Sequence, residues 1–385
     1  MKITIFGEKY SDNLGDGVIS DCLVYAFASI DTSFIVSAHD LSMREGFSFS
    51  HSVRSDVNSS SLSILIRRFK KLIGWELVRS KEFKTMYCEV IKSSDIVLIG
   101  GGQIFLDNEL NFPVKIRALS KILNTFGISH AFVCCGVSGR MSFIGATIFK
   151  KVLTNRHVKS LIVRDLLSLK NAKNILEYET PVFLIDPAII TSNVYSVRGS
   201  VGESTVKKIG MNIMDFETLS KCFGYRVEKD AFYDIWVDLV HRFVEDGFTV
   251  VLHTNGASED NYALSTVRKR IGQLSNVITM IPKSPKDLAD IIASVNVLIA
   301  YRLHANIMAF SLGIPSVGVV WDEKVSEFSA ISGRQDFYIR EKEMNVNIFY
   351  EYAHRALLAG VDNSKVLELK KQFIAGIERF VVSLR

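Results

Sequence analysis

The chain has 385 residues, of which 48% are hydrophobic and 23% charged, and its formal net charge is +5. That length accommodates about two domains, and the composition is that of a globular protein with a large core. No window is apolar enough to span a bilayer, the mild positive charge does not argue for nucleic acid, and the five cysteines show neither a paired framework nor metal-ligand spacing.

Taken in order, residues 2–6 predict a buried strand rather than a signal peptide, so a reducing, cytoplasmic setting is expected. A polar loop containing Asn13, Gly15 and Asp16 follows, then a helix over 18–30. A strand feeding such a loop begins a doubly wound domain, with backbone N–H groups offered at the helix start, but no dinucleotide fingerprint is present. Taken alone, Asn13 reads equally well as an ordinary helix cap. Residues 40–60 are Ser-rich and predict a loop. Over 62–87, Leu62, Leu65, Ile66, Phe69, Leu72 and Ile73 recur at helical spacing among Arg67, Arg68, Lys70 and Lys71, with Arg79, Lys81 and Lys84 beyond. This is a core-packing helix with a solvated basic face, or a helix lying on an anionic membrane surface.

Residues 96–99 predict a strand running into Gly100, Gly101, Gly102 and Gln103, where glycines permit close approach of backbone to a ligand. A strand over 131–135 ends in a second glycine turn, at Gly136 and Gly139, and residues 141–157 carry another apolar face with lysines. A strand over 161–163 ends at Arg164-Asp165 before a helix over 166–176. By itself that pair is equally an ion pair near a helix start. Residues 182–185 lead into Asp186-Pro187-Ala188, and the polar stretch 191–206 is the best linker candidate. A second alternating series has strands over 208–213, 249–252 and 276–281, and helices over 232–245, 261–273 and 285–294. The whole therefore predicts an α/β protein of two doubly wound, Rossmann-like domains, residues 1–195 and 205–385, facing each other across a cleft. Helices over 345–359 and 363–383 follow, the last expected to pack back across the domain junction.

The most informative stretch is 294–326. A buried strand ends at Arg302, Leu303 and His304; a short apolar helix closes at Gly313 and Pro315; a second strand ends before Asp322, Glu323 and Lys324. A lone cation after a strand is ordinarily a solvated loop residue. Here two cations and an imidazole gather at the carboxyl ends of successive strands, where open α/β sheets bind ligands, which marks a site for a small, multiply anionic substrate.

These residues resemble the polysaccharide pyruvyltransferase family. Its C-terminal signature matches Arg302-Leu303-His304, Leu312-Gly313-Ile314-Pro315 and Trp321-Asp322-Glu323-Lys324, with Trp321 where the family more often has Tyr. The resemblance extends to Asn13, Gly15 and Asp16, to the glycine run with Asp107, to Arg164-Asp165, to Asp186-Pro187, and to His253 with Glu259-Asp260.

The resemblance implies a GT-B-like fold and transfer of the pyruvyl group of phosphoenolpyruvate onto a sugar as a cyclic ketal. Arg302 and Arg164 are expected at the two anionic ends of the donor, Lys324 at its phosphate and His304 as proton donor, with Leu303 and His253 beside them. The acceptor, a sugar or lipid-linked glycan, is expected near Asn13, Asp16, Gly101 and Gly102. Neither a metal nor a cofactor beyond the co-substrate is expected, and membrane contact, if made, would be peripheral through 62–84. The rival readings are a GT-B glycosyltransferase with Glu323 or Glu327 on the ribose of a nucleotide-sugar, and a glycan-binding relative without turnover.

Overall fold

The computed structural model of the chain describes residues 1–47, 61–196, 207–223 and 228–384. The N-terminal half holds β1 (Lys2–Gly7), α1 (Leu14–Ile30), β2 (Ile35–Asp40), α2 (Ser61–Gly74), α3 (Ser80–Lys92), β3 (Ile96–Phe105), α4 (Asn111–Phe126), β4 (His130–Val137), α5 (Phe143–Leu153), β5 (Val158–Val163), α6 (Leu166–Asn174), β6 (Val182–Phe183) and α7 (Thr191–Val194). The C-terminal half holds β7 (Lys208–Asn212), α8 (Phe216–Phe223), α9 (Lys229–Glu245), β8 (Thr249–His253), α10 (Ser258–Ile271), β9 (Val277–Met280), α11 (Pro285–Ala293), β10 (Val297–Ala300), α12 (Leu303–Ser311), β11 (Ser316–Val320), α13 (Glu323–Ile331), β12 (Tyr338–Arg340), α14 (Val346–Ala359) and α15 (Asn363–Leu384).

The strands form two six-stranded sheets, in the orders β2-β1-β3-β4-β5-β6 and β12-β11-β10-β7-β8-β9. Every pairing is parallel. Parallel sheets need helices on both faces, which is why β3, β4 and β10 read as nearly unbroken apolar runs and are buried along their length. The two doubly wound sheets expected from the sequence are thus present. Each order reverses once, between β1 and β3 and between β7 and β10.

Several boundaries differ from the sequence reading, and two of them have a clear physical reason. Helix α1 begins at Leu14, four residues early, because its first N–H donates to the Asn255 carbonyl at 2.8 Å from the facing half. Strand β3 continues through its glycines, since β4 goes on pairing with Gly100, Gly102 and Phe105 across a register shift. The loop expected over 40–60 lies largely outside the described residues, as does most of the linker expected over 191–206, whose first residues form α7.

Helix α15 does pack back across the junction. Phe380 meets Phe27 of α1 with ring centroids 6.2 Å apart, and Lys370 donates to the Ser311 carbonyl at 3.0 Å. One buried cluster joins Ile19 and Leu23 of α1, Leu288 of α11, Met308 of α12 and Phe373 and Ile377 of α15. On the basic stretch 62–84, Arg67 pairs with Glu109 at 2.9 Å, Lys71 with Glu109 at 3.5 Å and Arg68 with Asp107 at 3.8 Å. Part of that charge is therefore satisfied by the chain itself. Among the described residues no helix is long and apolar enough to cross a membrane.

Candidate active site

At a reversal of strand order the flanking helices diverge and leave a crevice at the carboxyl ends of the strands. Here the two reversals face each other across a cavity of about 230 Å³. Asn13 and Asp16 reach it from the start of α1, Gly101 and Gly102 from the end of β3, and Arg164 from the end of β5. Arg302, Leu303 and His304 enter from the end of β10, and Lys324 from the start of α13. Nine of the ten expected site residues share this one space.

Arg164 and His304 also belong to a buried triangle that backs the cavity. The Arg164 guanidinium donates from Nη1 to Asp186 Oδ2 at 3.2 Å and lies 3.2 Å from His304 Nε2. His304 Nε2 is in turn 3.7 Å from Asp186 Oδ2, beyond hydrogen-bond reach. Asp186 is fixed from behind, its Oδ1 accepting from the Ala188 N–H at 2.9 Å. Burial pushes the Asp186 carboxyl up, but a protonated His304, Arg164 and the Ala188 N–H together outweigh it and hold the group below the usual carboxylate range. For Asp16 burial wins, and its carboxyl stays above that range even against the pull of a protonated His304 and of Arg164.

Arg302 is not the uncommitted cation that the sequence implied. Its Nε and Nη2 clamp both oxygens of Asp260 at 2.8 Å each, and Asp260 also accepts from the Asp215 N–H at 2.9 Å. A bidentate fork spent on a fully buried carboxylate leaves the donor only Nη1 and the second N–H of Nη2.

Lys324 is more available. It crosses the cleft to donate to Gln103 Oε1 at 2.8 Å, a neutral partner that an anion can displace. Burial, with Arg164 second, holds its ammonium below the ordinary lysine value. The protonated form binds anions, so affinity for an anionic donor is expected to fall as pH rises through that lowered value. The fall sets in at lower pH than for a solvated lysine, which titrates near about 10.4. Calorimetric titration across that range checks this, and Lys324→Arg, which stays charged, is expected to flatten the slope.

His253, the tenth expected residue, does not join the others. It is fully buried at the end of β8, where its Nδ1 accepts from Asn212 Nδ2 at 3.3 Å and burial pushes it down to about 4, hence neutral. Asn212 also donates to Asn255 Oδ1 at 3.0 Å, and Asn255 lines the cavity instead. Glu8, Gln103, Phe112 and Trp321 line it too without having been singled out as site residues. Asp186 and Asp260 lay within quoted motifs, but nothing in the sequence indicated what they hold. Glu327 accepts from the N–H groups of Leu166 and Leu167 and so caps α6 of the facing half, and neither it nor Glu323 lines this cavity.

Two close approaches depend on glycine. Gly102 has φ +88, and a Cβ there would lie 2.9 Å from Asp16 Oδ1. A Cβ on Gly15 would lie 2.2 Å from His304 Nδ1, a contact between the two halves of the molecule. Gly15→Ala is therefore expected to push the imidazole aside and lower turnover on the order of a hundredfold, with helix content unchanged. Steady-state rates and circular dichroism on the variant check both parts. Among the described residues no group of three or more His, Cys, Asp or Glu side chains is arranged to hold a metal ion.

A sequence model described as polysaccharide pyruvyl transferase matches residues 13–323, most of the chain and every site residue except Lys324, which follows its last matched position. No curated protein sequence matches. Among solved structures, a UDP-N-acetylglucosamine 2-epimerase from Listeria monocytogenes, described as putative, superposes with a TM-score of 0.56 at 11% identity, covering 96% of this chain and 90% of its own. Anabaena HepE in complex with UDP-glucose gives 0.56 at 11% identity, with 100% and 99% covered. The UDP-GlcNAc 2-epimerase of Neisseria meningitidis bound to UDP-GlcNAc gives 0.55 at 10%, with 100% and 99% covered. At these identities the likeness is one of fold, and that fold is GT-B-like.

Proposed function

The chain belongs to the polysaccharide pyruvyl transferase family, and from that premise we propose that it moves the pyruvyl group of phosphoenolpyruvate onto two hydroxyls of one sugar, giving a cyclic ketal and inorganic phosphate. The observation that carries this reading is the gathering of Arg164, Arg302 and Lys324 around His304 in one cavity. A phosphate and a carboxylate on a three-carbon frame call for several cations within a few ångströms, with Arg suited to planar anions and Lys to a point contact.

Lys324 leaves Gln103 for the donor's phosphate, Arg164 takes the carboxylate, and Arg302 contributes Nη1 from its clamp on Asp260. A proton from His304 goes to the enol carbon C3, and the double-bond electrons form the new C–H bond. The first sugar hydroxyl attacks the cation left at C2 and gives its proton to Asp16, whose raised affinity for protons suits a base. The second hydroxyl displaces phosphate from C2, its proton leaving with the departing group, while Lys324 and Arg164 neutralise the charge released. Return of the proton from Asp16 to His304 restores the acid, which gives up its proton to solvent once the products leave and Arg164 returns to Nε2.

A nucleotide-sugar transferase is less well supported, because Glu323 and Glu327, the acids read for the ribose, lie outside the cavity. Calorimetric titration with phosphoenolpyruvate and, separately, with UDP-sugars tests the donor assignment: saturable heat with the former and none with the latter is expected. Three protein cations suffice for the chemistry proposed, so turnover is also expected to survive EDTA. Loss restored by magnesium would overturn that part.

A further inference from the structure

The triangle of Arg164, Asp186 and His304 has a consequence for the acid itself. A guanidinium only donates hydrogen bonds, so at 3.2 Å the His304 Nε2 faces it as an acceptor. In this arrangement the imidazole is neutral, with its proton on Nδ1 over Gly15, and has no proton at Nε2 to give. Arg164 is at the same time under-committed. Its Nη1 serves both Asp186 and His304, while its Nε is buried with no hydrogen-bond partner among the described residues. Asp165 Oδ2, 3.7 Å from that Nε, is likewise buried without one. A buried, partly unsatisfied guanidinium lining a cavity is an anion receptor waiting for its anion.

We infer that Asp186 is a positioning residue that makes donor binding and the charging of His304 one event. This rests on phosphoenolpyruvate as the donor. When the donor's carboxylate draws the guanidinium to itself, Nε2 loses the group that held its lone pair. It then faces the incoming anion and Asp186 Oδ2, which lies 3.7 Å away in the free protein, with no competing cation between them. Nε2 takes a proton from solvent, and the new N–H points into the space that Arg164 vacated, between Asp186 and the donor. The acid is armed only when there is a donor to protonate.

The other charges around the imidazole favour the same outcome. Asp16 approaches from α1, while Arg302 precedes His304 on its own helix with its fork already spent on Asp260. Lys324, from α13, is drawn off by the donor's phosphate.

Nitrogen-15 NMR of histidine-labelled protein reads the protonation of His304 directly, with His304→Gln assigning the signal. In the free protein the expected signal is a neutral ring protonated at Nδ1 alone. Saturating phosphoenolpyruvate is expected to convert it to a ring protonated at both nitrogens. Asp186→Asn, checked for native melting, should bind the donor yet lose that conversion. Arg164→Gln should show the doubly protonated ring with no donor present, and it provides an independent reading if Asp186→Asn does not fold. A neutral His304 ring in protein that demonstrably binds phosphoenolpyruvate would overturn the inference and leave the donor assignment standing. Absence of any binding would overturn both. An unaltered conversion in Asp186→Asn would remove Asp186 from the role.

Discussion

Replacing His304 with glutamine is expected to lower kcat by about 10²- to 10⁴-fold while the dissociation constant for phosphoenolpyruvate changes by less than about tenfold. Glutamine fills nearly the same volume and can accept from Arg164 Nη1 as Nε2 does at 3.2 Å, so the cavity wall and the guanidinium stay in place. What is lost is the group that carries a proton to the enol carbon. A residue that only bound the donor would show the opposite pattern, with affinity and turnover falling together. Stopped-flow binding and single-turnover phosphate release on the same variant separate the two. An equal fall in both would assign His304 to binding alone.

Arg302→Ala is expected to cost about 3–5 kcal/mol of folding stability, more than any loss confined to donor contact would explain. The reason is Asp260. It is fully buried, both of its oxygens sit 2.8 Å from the Arg302 fork, and burial already holds its carboxyl above the usual range. Removing the fork leaves that carboxylate unpaired in the interior. Denaturant titration of the variant checks the loss, and a second change, Asp260→Asn, is expected to restore part of it by removing the stranded charge. A variant as stable as the parent, with only donor affinity reduced, would mean that Arg302 is the uncommitted cation its place in the sequence implies.

These two residues show how far the sequence carries. Arg302, His304 and Lys324 were legible because each closes an apolar run, and strand ends in a doubly wound sheet converge on one edge. Arg164 also ends a strand, β5, but there position alone read equally as an ion pair, and the family resemblance placed it at the donor. The partners that set their chemistry were not, because they are distant in the chain. Arg302 and Asp260 are 42 residues apart, Arg164 and His304 140, and Lys324 and Gln103 221. Local pattern carries no trace of such pairings.

His253 shows the converse. His253 was expected in the site because it resembles the family's histidine ahead of an acidic pair, yet it is fully buried at the end of β8 and Asn255 lines the cavity instead. Boundaries failed where tertiary hydrogen bonds override local signals, as at Leu14. Helix α4 passed unread for a related reason: Leu110, at its N-cap, has φ 68 and no side-chain cap, so no start signal is written there.

Following the donor's own carbon separates pyruvyl transfer from its rivals. Phosphoenolpyruvate labelled with carbon-13 at C2 is incubated with the protein and a panel of sugar diol acceptors, and the products are read by NMR alongside released phosphate. The label is expected to appear as a ketal carbon bonded to two sugar oxygens, with one phosphate released per ketal formed and no product from the His304→Gln variant on the same timescale. Phosphate release that leaves the label as free pyruvate, or glycosyl transfer from a nucleotide-sugar with phosphoenolpyruvate untouched, would contradict pyruvyl transfer.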